Sequence, residues 1–317
     1  MSNNESLKVP QDKQIIKQSN KLGEQTRTGY DVFLGCVIAS RLPFLETSAR
    51  KIFAKLGIEL HDVDGFSCCP DPTGIELVSH SAWLALGARN LSLSSAGNGI
   101  VSFCSGCVET LKGVNHAMKK DHAVKEVNKF LGNIGKHYDG ETKVTHFGQI
   151  LYEQLEKVKT TVSKPLKDFK VAVHYGCHYL RPSEIIQWDD PFEPITVDAI
   201  VEGLGAESIP YEFKMECCGN PTSKMDKDLS LLMAKKKLDA IKKTKANCII
   251  VVCPACYQQF DFNQKELNKT FGTDFNFPIF YLSEAVALAF GFTPDELGLK
   301  FHATRVTNFL KEINFTS

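Results

Sequence analysis

The chain has no long hydrophobic run. Its longest apolar stretches, 248–252 and 285–290, fall far short of the ~18–20 residues that cross a bilayer, so no membrane span is predicted. No apolar leader is expected either, since residues 1–28 are mostly polar and hold no apolar run longer than Ile15-Ile16; the reading is a cytoplasmic protein with a mobile N-terminal arm over 1–28. Net charge is absent as well, with Lys plus Arg and Asp plus Glu each totalling 37, which excludes a global field for recruiting nucleic acid or an anionic membrane. No G-x-G-x-x-G follows a strand, and GNG at 97–99 reads as a turn, so no flavin or nicotinamide site is expected. Against these absences stand 11 cysteines in 317 residues. Cytosolic thiols stay reduced, and metal binding becomes their leading use.

Two of those cysteines, Cys68 and Cys69, are adjacent in GFSCCP. Neighbouring Cα atoms lie about 3.8 Å apart, short of the roughly 4.4–6.8 Å of a relaxed disulfide, so each sulfur needs another partner. The surrounding chain reads as strand, helix, strand, helix, strand. YDVFLGC enters a glycine turn, and a helix follows through Leu45, Ala49, Ile52, Phe53 and Leu56 to a stop at Gly57. IELHDV is the second strand, a single helix is expected over about 75–93, and IVSF runs into CSGC.

The same order recurs. KVAVHYGC (170–177) matches YDVFLGC, MECCGNPT (215–222) matches FSCCPDPT, and ANCIIVVCPAC (246–256) matches GNGIVSFCSGC. TKVTHFGQILYEQL (142–155) likewise lines up with FNFPIFYLSEAVAL (275–288). The expected fold is therefore α/β, as two tandem, pseudo-symmetric modules at 29–160 and 166–300, each with a small, largely parallel sheet and cysteines at its strand ends. A joint through Pro165 and a C-terminal tail at 301–317 complete the division.

In the first module 31 residues separate Cys36 from Cys68-Cys69, and 34 more precede Cys104-x-x-Cys107; in the second the intervals from Cys177 to Cys217-Cys218 to Cys253-x-x-Cys256 are 39 and 34. A structural zinc or a cubane [4Fe–4S] cluster takes four ligands, and each module offers five thiols. Five thiolates, some bridging, suit an iron–sulfur cluster more open than the cube. Zinc is the alternative and gives the fifth cysteine no role. Cys248, in the apolar strand NCIIVV, reads as a small buried hydrophobe.

This duplicated pattern, with GCHYLRP at Cys177, CCGNPT at Cys217, FLGCVIASR, WLALGARNL and the C-terminal LGLKFH, resembles the CCG-domain proteins, and among them the B-type iron–sulfur subunits of heterodisulfide reductase. The resemblance implies two noncubane [4Fe–4S] clusters, held by Cys36, Cys68, Cys69, Cys104 and Cys107 and by Cys177, Cys217, Cys218, Cys253 and Cys256. It implies cleavage of the coenzyme M–coenzyme B disulfide placed between them, each cluster supplying one electron. The expected partners are a small C-type subunit with cubane [4Fe–4S] clusters and an A-type flavoprotein, joined to a hydrogenase or formate dehydrogenase. Relatives acting on other thiols or sulfur carriers, and non-catalytic electron-transfer proteins, are the alternatives. The arm at 1–28 departs from the family pattern.

Because the family substrate carries anionic groups, His178 is a candidate proton donor and Arg181 and Lys214 are candidate substrate contacts. The plainer alternative has His178 and Arg181 bonding the turn around Cys177, and Lys214 and Lys224 as surface lysines. His80 and Trp83 read as packing, 234–245 as the solvated face of a helix or a partner surface, and His61 receives no role.

Overall fold

A computed structural model describes residues 28–315; the arm expected at 1–28 lies outside the described residues except for Thr28. Strands β1 (Tyr30–Phe33), β2 (Leu60–His61), β3 (Ile100–Ser102) and β4 (Val144–His146) form one sheet in the order β2-β1-β3-β4. Strands β5 (Lys170–His174), β6 (Glu207–Ser208), β7 (Cys248–Val251) and β8 (Ile279–Tyr281) form a second in the matching order β6-β5-β7-β8. Every pairing is parallel. The cause is visible in β7, whose residues Cys-Ile-Ile-Val are all buried: helices cover both faces, so apolar residues run continuously instead of alternating.

In both sheets the chain moves outward in opposite directions from the central pair, β1 and β3 or β5 and β7. That divergence opens a crevice at the carboxyl ends of the two strands, where α/β folds collect ligands. Cys36 and Cys104 follow β1 and β3, and Cys177 and Cys253 follow β5 and β7.

The modules do not keep separate cores. Val32, Leu45, Phe103 and Phe147 of the first pack in one buried cluster with Val173, Ile250 and Phe280 of the second, while a smaller cluster around Trp83 and Leu111 fills the outer side of the first module. Helix Pro43–Lys55 lies against helix Leu282–Ala289, and Ser48 Oγ meets Ser283 Oγ at 2.6 Å between them. The joint is packed as well. Ser163 and Lys164 donate backbone N–H to the Ala289 carbonyl, and Leu166 to that of Leu204.

Two segments differ from the sequence reading. The helix expected over 75–93 is broken into Ile75–Val78 and His80–Leu91. Ser79 turns to an extended backbone and its hydroxyl accepts from Ala82 N–H, so a capping serine restarts the helix. The segment expected as a C-terminal tail carries, within its described residues 301–315, a helix, Val306–Glu312, that buries Val306, Phe309 and Leu310, with Phe309 edge-on to Phe169 at 5.3 Å. Cys248 is fully buried in β7, and burial pushes its thiol up.

Candidate metal centre

Cys36, Cys68, Cys69 and Cys104 of the first module and Cys177, Cys217, Cys218 and Cys253 of the second follow parallel strands, and Cys107 and Cys256 sit in the first turn of the helices that come next, so the repeat in sequence becomes a repeat in space. In the first module the Cys107 thiol donates to Cys69 Sγ at 3.2 Å. Cys68 stands within interaction range of both Cys69 and Cys36, and Cys104 within that of Cys107. In the second, Cys177 meets Cys217, Cys217 meets Cys218, Cys218 meets Cys256 and Cys256 meets Cys253. The two sets adjoin: Cys104 and Cys253 stand close enough across the module boundary that each thiol shifts the other's ionisation. All ten sulfurs therefore form one continuous array, running from Cys36 through the two CxxC helices to Cys177.

The array is closed in its middle and open at one end. Cys69, Cys107, Cys218, Cys253 and Cys256 are buried, whereas Cys36 and Cys68 are exposed. Ordinary thiols so arranged cannot all ionise. Cys69 is held well below the usual thiol range by the bond from Cys107, Cys253 by the bond from Cys104, and Cys217 is pulled down to about 2 by the bond from Cys177. Their neighbours Cys68, Cys107, Cys177, Cys218 and Cys256 are pushed up, because each gives its S–H to an adjacent sulfur and is desolvated. Cys104 is drawn down by Cys107 but pushed up further by Cys253 and by burial. Metal ligation needs thiolates. Only cationic charge placed among the sulfurs offsets that much buried negative charge, and an all-thiol donor set of this size fits iron–sulfur groups.

Glycine clears the approach. Gly35 has φ +67°, and a Cβ there would lie 2.6 Å from Cys107 Sγ; at Gly176, φ +74°, the nearest contact is Cys256 Sγ at 3.3 Å. Gly35→Ala should thus cost roughly 1–2 kcal/mol in backbone strain and also displace the Cys107 sulfur. Metal analysis is expected to show a larger loss for Gly35→Ala than for Gly176→Ala, and equal retention in both would contradict the geometry.

The wall between the modules is built from equivalent positions. His146 and Tyr281 end β4 and β8 and cap the helices that follow. His146 Nε2 lies 3.1 Å from the Val252 carbonyl, and the Tyr281 hydroxyl donates to the Val252 and Phe103 carbonyls. Those carbonyls immediately precede Cys253 and Cys104. Neither side chain stands out in the sequence, because a residue ending a strand carries no signal of what crosses to meet it.

His178, the expected proton donor, belongs to the second module but stands beside the first module's CxxC. A Cβ built on Gly106 would be 3.9 Å from Cys104 Sγ and 4.0 Å from His178 Nδ1. Arg181 donates from Nη2 to the Met215 carbonyl at 2.6 Å, two residues before Cys217, and its backbone N–H donates to the Cys177 carbonyl at 3.1 Å. Lys214, the other expected substrate contact, makes a part-buried ion pair with Asp198 at 2.7 Å, over the ring of Tyr175, which balances its charge within the scaffold. Lys224 ends the short 3-10 turn Asn220–Lys224 after the second cysteine pair. His80 stacks on Trp83 at 5.3 Å, as packing predicts.

Two further groups near the second set are His174, at the end of β5, and Lys237. Lys237 is 1 % exposed and gives its ammonium protons to the Phe213 and Lys214 carbonyls, while burial pushes it down to about 8 against the pull of Cys218. In the sequence Lys237 is hidden in a run of lysines at 235–237, and only helix phase separates it from its solvated neighbours.

The cysteine-rich CCG domain family matches residues 30–112 and 171–261, the two modules in turn. A ferredoxin:CoB-CoM heterodisulfide reductase subunit, of the B type, from Methanosarcina mazei is 38% identical over 288 residues, covering 89% of this chain and 96% of that protein. A protein of Archaeoglobus profundus described as similar to the B-type subunit of heterodisulfide reductase is 37% identical, over 84% and 92%. The 8-methylmenaquinol:fumarate reductase membrane anchor subunit of Wolinella succinogenes is 32% identical, over 87% and 96%. Among solved structures, a hypothetical protein from Helicobacter pylori shares the fold with a TM-score of 0.72 at 16% identity, over 87% of this chain and 52% of that one. Among the described residues no helix is long and apolar enough to cross a membrane.

Proposed function

Because this chain belongs to the cysteine-rich CCG domain family, we propose that it is the disulfide-cleaving iron–sulfur subunit of a heterodisulfide reductase complex, acting on the mixed disulfide of coenzyme M and coenzyme B. One observation carries the reading: two complete sets of five cysteines meet face to face at Cys104 and Cys253. The sets would hold one noncubane [4Fe–4S] cluster each, Cys36, Cys68, Cys69, Cys104 and Cys107 on one side and Cys177, Cys217, Cys218, Cys253 and Cys256 on the other. When bound, these groups supply the electrons for the reaction.

Cleavage takes up two electrons and two protons: the S–S bond breaks and each sulfur leaves as a thiol. No cysteine of the chain is left to attack the substrate by exchange, since the eleventh, Cys248, is fully buried in β7. His178 stands at the junction of the two sets and is the group that delivers a proton to a departing sulfur. His146 and Tyr281 hold the two backbones that carry Cys104 and Cys253 at a fixed separation, so the sulfur-to-sulfur span offered to the substrate is set by the scaffold. Partner proteins bring the electrons, a small C-type iron–sulfur protein and an A-type flavoprotein; the relatives in methanogens are themselves named as parts of multi-subunit reductases.

The Wolinella relative supports a second reading, an electron-transfer component of a different reductase complex. The two diverge in one experiment. The holoprotein is oxidised anaerobically with and without coenzyme M while its EPR spectrum is recorded. A paramagnetic signal that appears only with the thiol is expected for the disulfide-cleaving protein, and signals indifferent to thiol would support the second reading instead.

A further inference from the structure

The two modules superimpose in sequence at FLGC (33–36) and HYGC (174–177), which places Phe33 opposite His174. Phe33 ends β1, is fully buried and packs edge-on against Phe66 at 5.0 Å. His174 ends β5, is equally buried, and neither ring nitrogen has a hydrogen-bond partner. One ring nitrogen of His174 and the sulfurs of Cys218 and Cys256 all lie within 4.8 Å of one another. Phe260 stands edge-on to the imidazole at 5.0 Å and 89°, which blocks other polar partners on that side. A buried polar side chain without a partner is rare in native proteins and calls for one.

We propose that His174 donates a hydrogen bond to a ligand sulfur of the second cluster, Cys218 or Cys256, and thereby makes that cluster easier to reduce than the first. The inference rests on the cluster-binding function proposed above. Imidazole carries at least one N–H whether neutral or charged, so the donor is present in both forms. A hydrogen bond to a cluster sulfur draws off negative charge, which favours the reduced and more negative state.

A second difference between the modules has the same sign. Asn90 and Lys237 occupy the same helical position, each 11 residues after the N-cap of its helix, Ser79 and Asp226. Asn90 is neutral and fastens the first cysteine turn by donating to the Cys68 carbonyl at 3.0 Å. Lys237 does the corresponding work for the second turn with an ammonium group. The second set is thus bordered by an N–H donor and a cation where the first has a phenyl ring and an amide. A duplicated site with unequal surroundings gives arriving electrons a preferred seat.

The test is an EPR-monitored redox titration of the holoprotein, with the two signals assigned through Cys36→Ser and Cys177→Ser. The wild type is expected to show two midpoint potentials, the higher from the second cluster. His174→Phe should lower that one by at least tenfold in the reduction equilibrium, about 59 mV for one electron, and leave the first in place. His174→Gln, which retains an N–H donor, should restore part of the shift. Phe33→His supplies the reciprocal measurement if His174→Phe does not fold, and should raise the first cluster. Equal potentials in the wild type, no shift in His174→Phe, or a strong nitrogen hyperfine coupling from an imidazole bound directly to iron would each overturn the inference while leaving the proposed function standing. A wild type without cluster signals would overturn both.

Discussion

Replacing Cys177 by serine is expected to lower disulfide reduction by roughly 10³-fold, about 4 kcal/mol in barrier, with the chain still folded. The expectation follows from the duplication. Cys177 sits at the end of the array, beside Cys217, and is the second module's counterpart of Cys36. If both sets act on one disulfide, removing either disables the same step, so the losses must not add. Cys36→Ser, Cys177→Ser and the double variant should therefore fall to a common level in a steady-state assay, with circular dichroism confirming the fold. Full activity in Cys177→Ser with the second cluster's signal gone would break the account.

His302→Leu should have the largest effect on stability. The ring is buried against Glu284, Nε2 to Oε1 at 2.8 Å, and both side chains have no exposure. Burial alone would lower the imidazole pKa, but the Glu284 charge and hydrogen bond outweigh it and hold His302 above its ordinary value. Removing the ring leaves a buried carboxylate without its counter-charge, which costs about 3–5 kcal/mol. The sign of the pH dependence follows. A raised folded pKa means that the pair's contribution is complete below the unfolded histidine value of about 6.5 and is lost as pH rises through the folded value. Thermal unfolding of the holoprotein should show wild-type stability declining on the alkaline side of that range, with the decline absent in His302→Leu. The consequence reaches the metal centre, because the other Glu284 oxygen accepts from Tyr281 N–H at 2.8 Å and the Tyr281 hydroxyl meets the carbonyls before Cys104 and Cys253.

Much of this architecture is readable in the sequence, for a physical reason. Parallel strands buried on both faces are continuous apolar runs, and loops at their carboxyl ends have to bring the cysteines into one crevice, so a repeat of strand, cysteine and spacing dictates two α/β modules with a ligand set each. The break at Ser79 is not readable, because its hydroxyl competes for the helix backbone over a single turn inside an apolar pattern. Joining of the modules is invisible for a different reason. The Cys104–Cys253 contact, like the packing of helix Pro43–Lys55 on helix Leu282–Ala289, depends on which faces of two similar units meet, and periodicity within either unit says nothing of that. Lys214 reads as an unpaired cation since its partner Asp198 lies 16 residues upstream in helix Thr196–Gly203. His174 reads as one more residue of a strand, though its alignment with Phe33 already sets a polar ring where the first module has an apolar one.

On the proposed function, ten cysteines of this chain hold two iron–sulfur clusters, one per module. Anaerobic purification followed by iron and sulfide analysis of the wild type, Cys36→Ser and Cys177→Ser tests it most directly. The account predicts about eight irons per wild-type chain and the loss of one cluster's signal, a different one, in each variant. Four irons or fewer in the wild type, or zinc in their place, would contradict it.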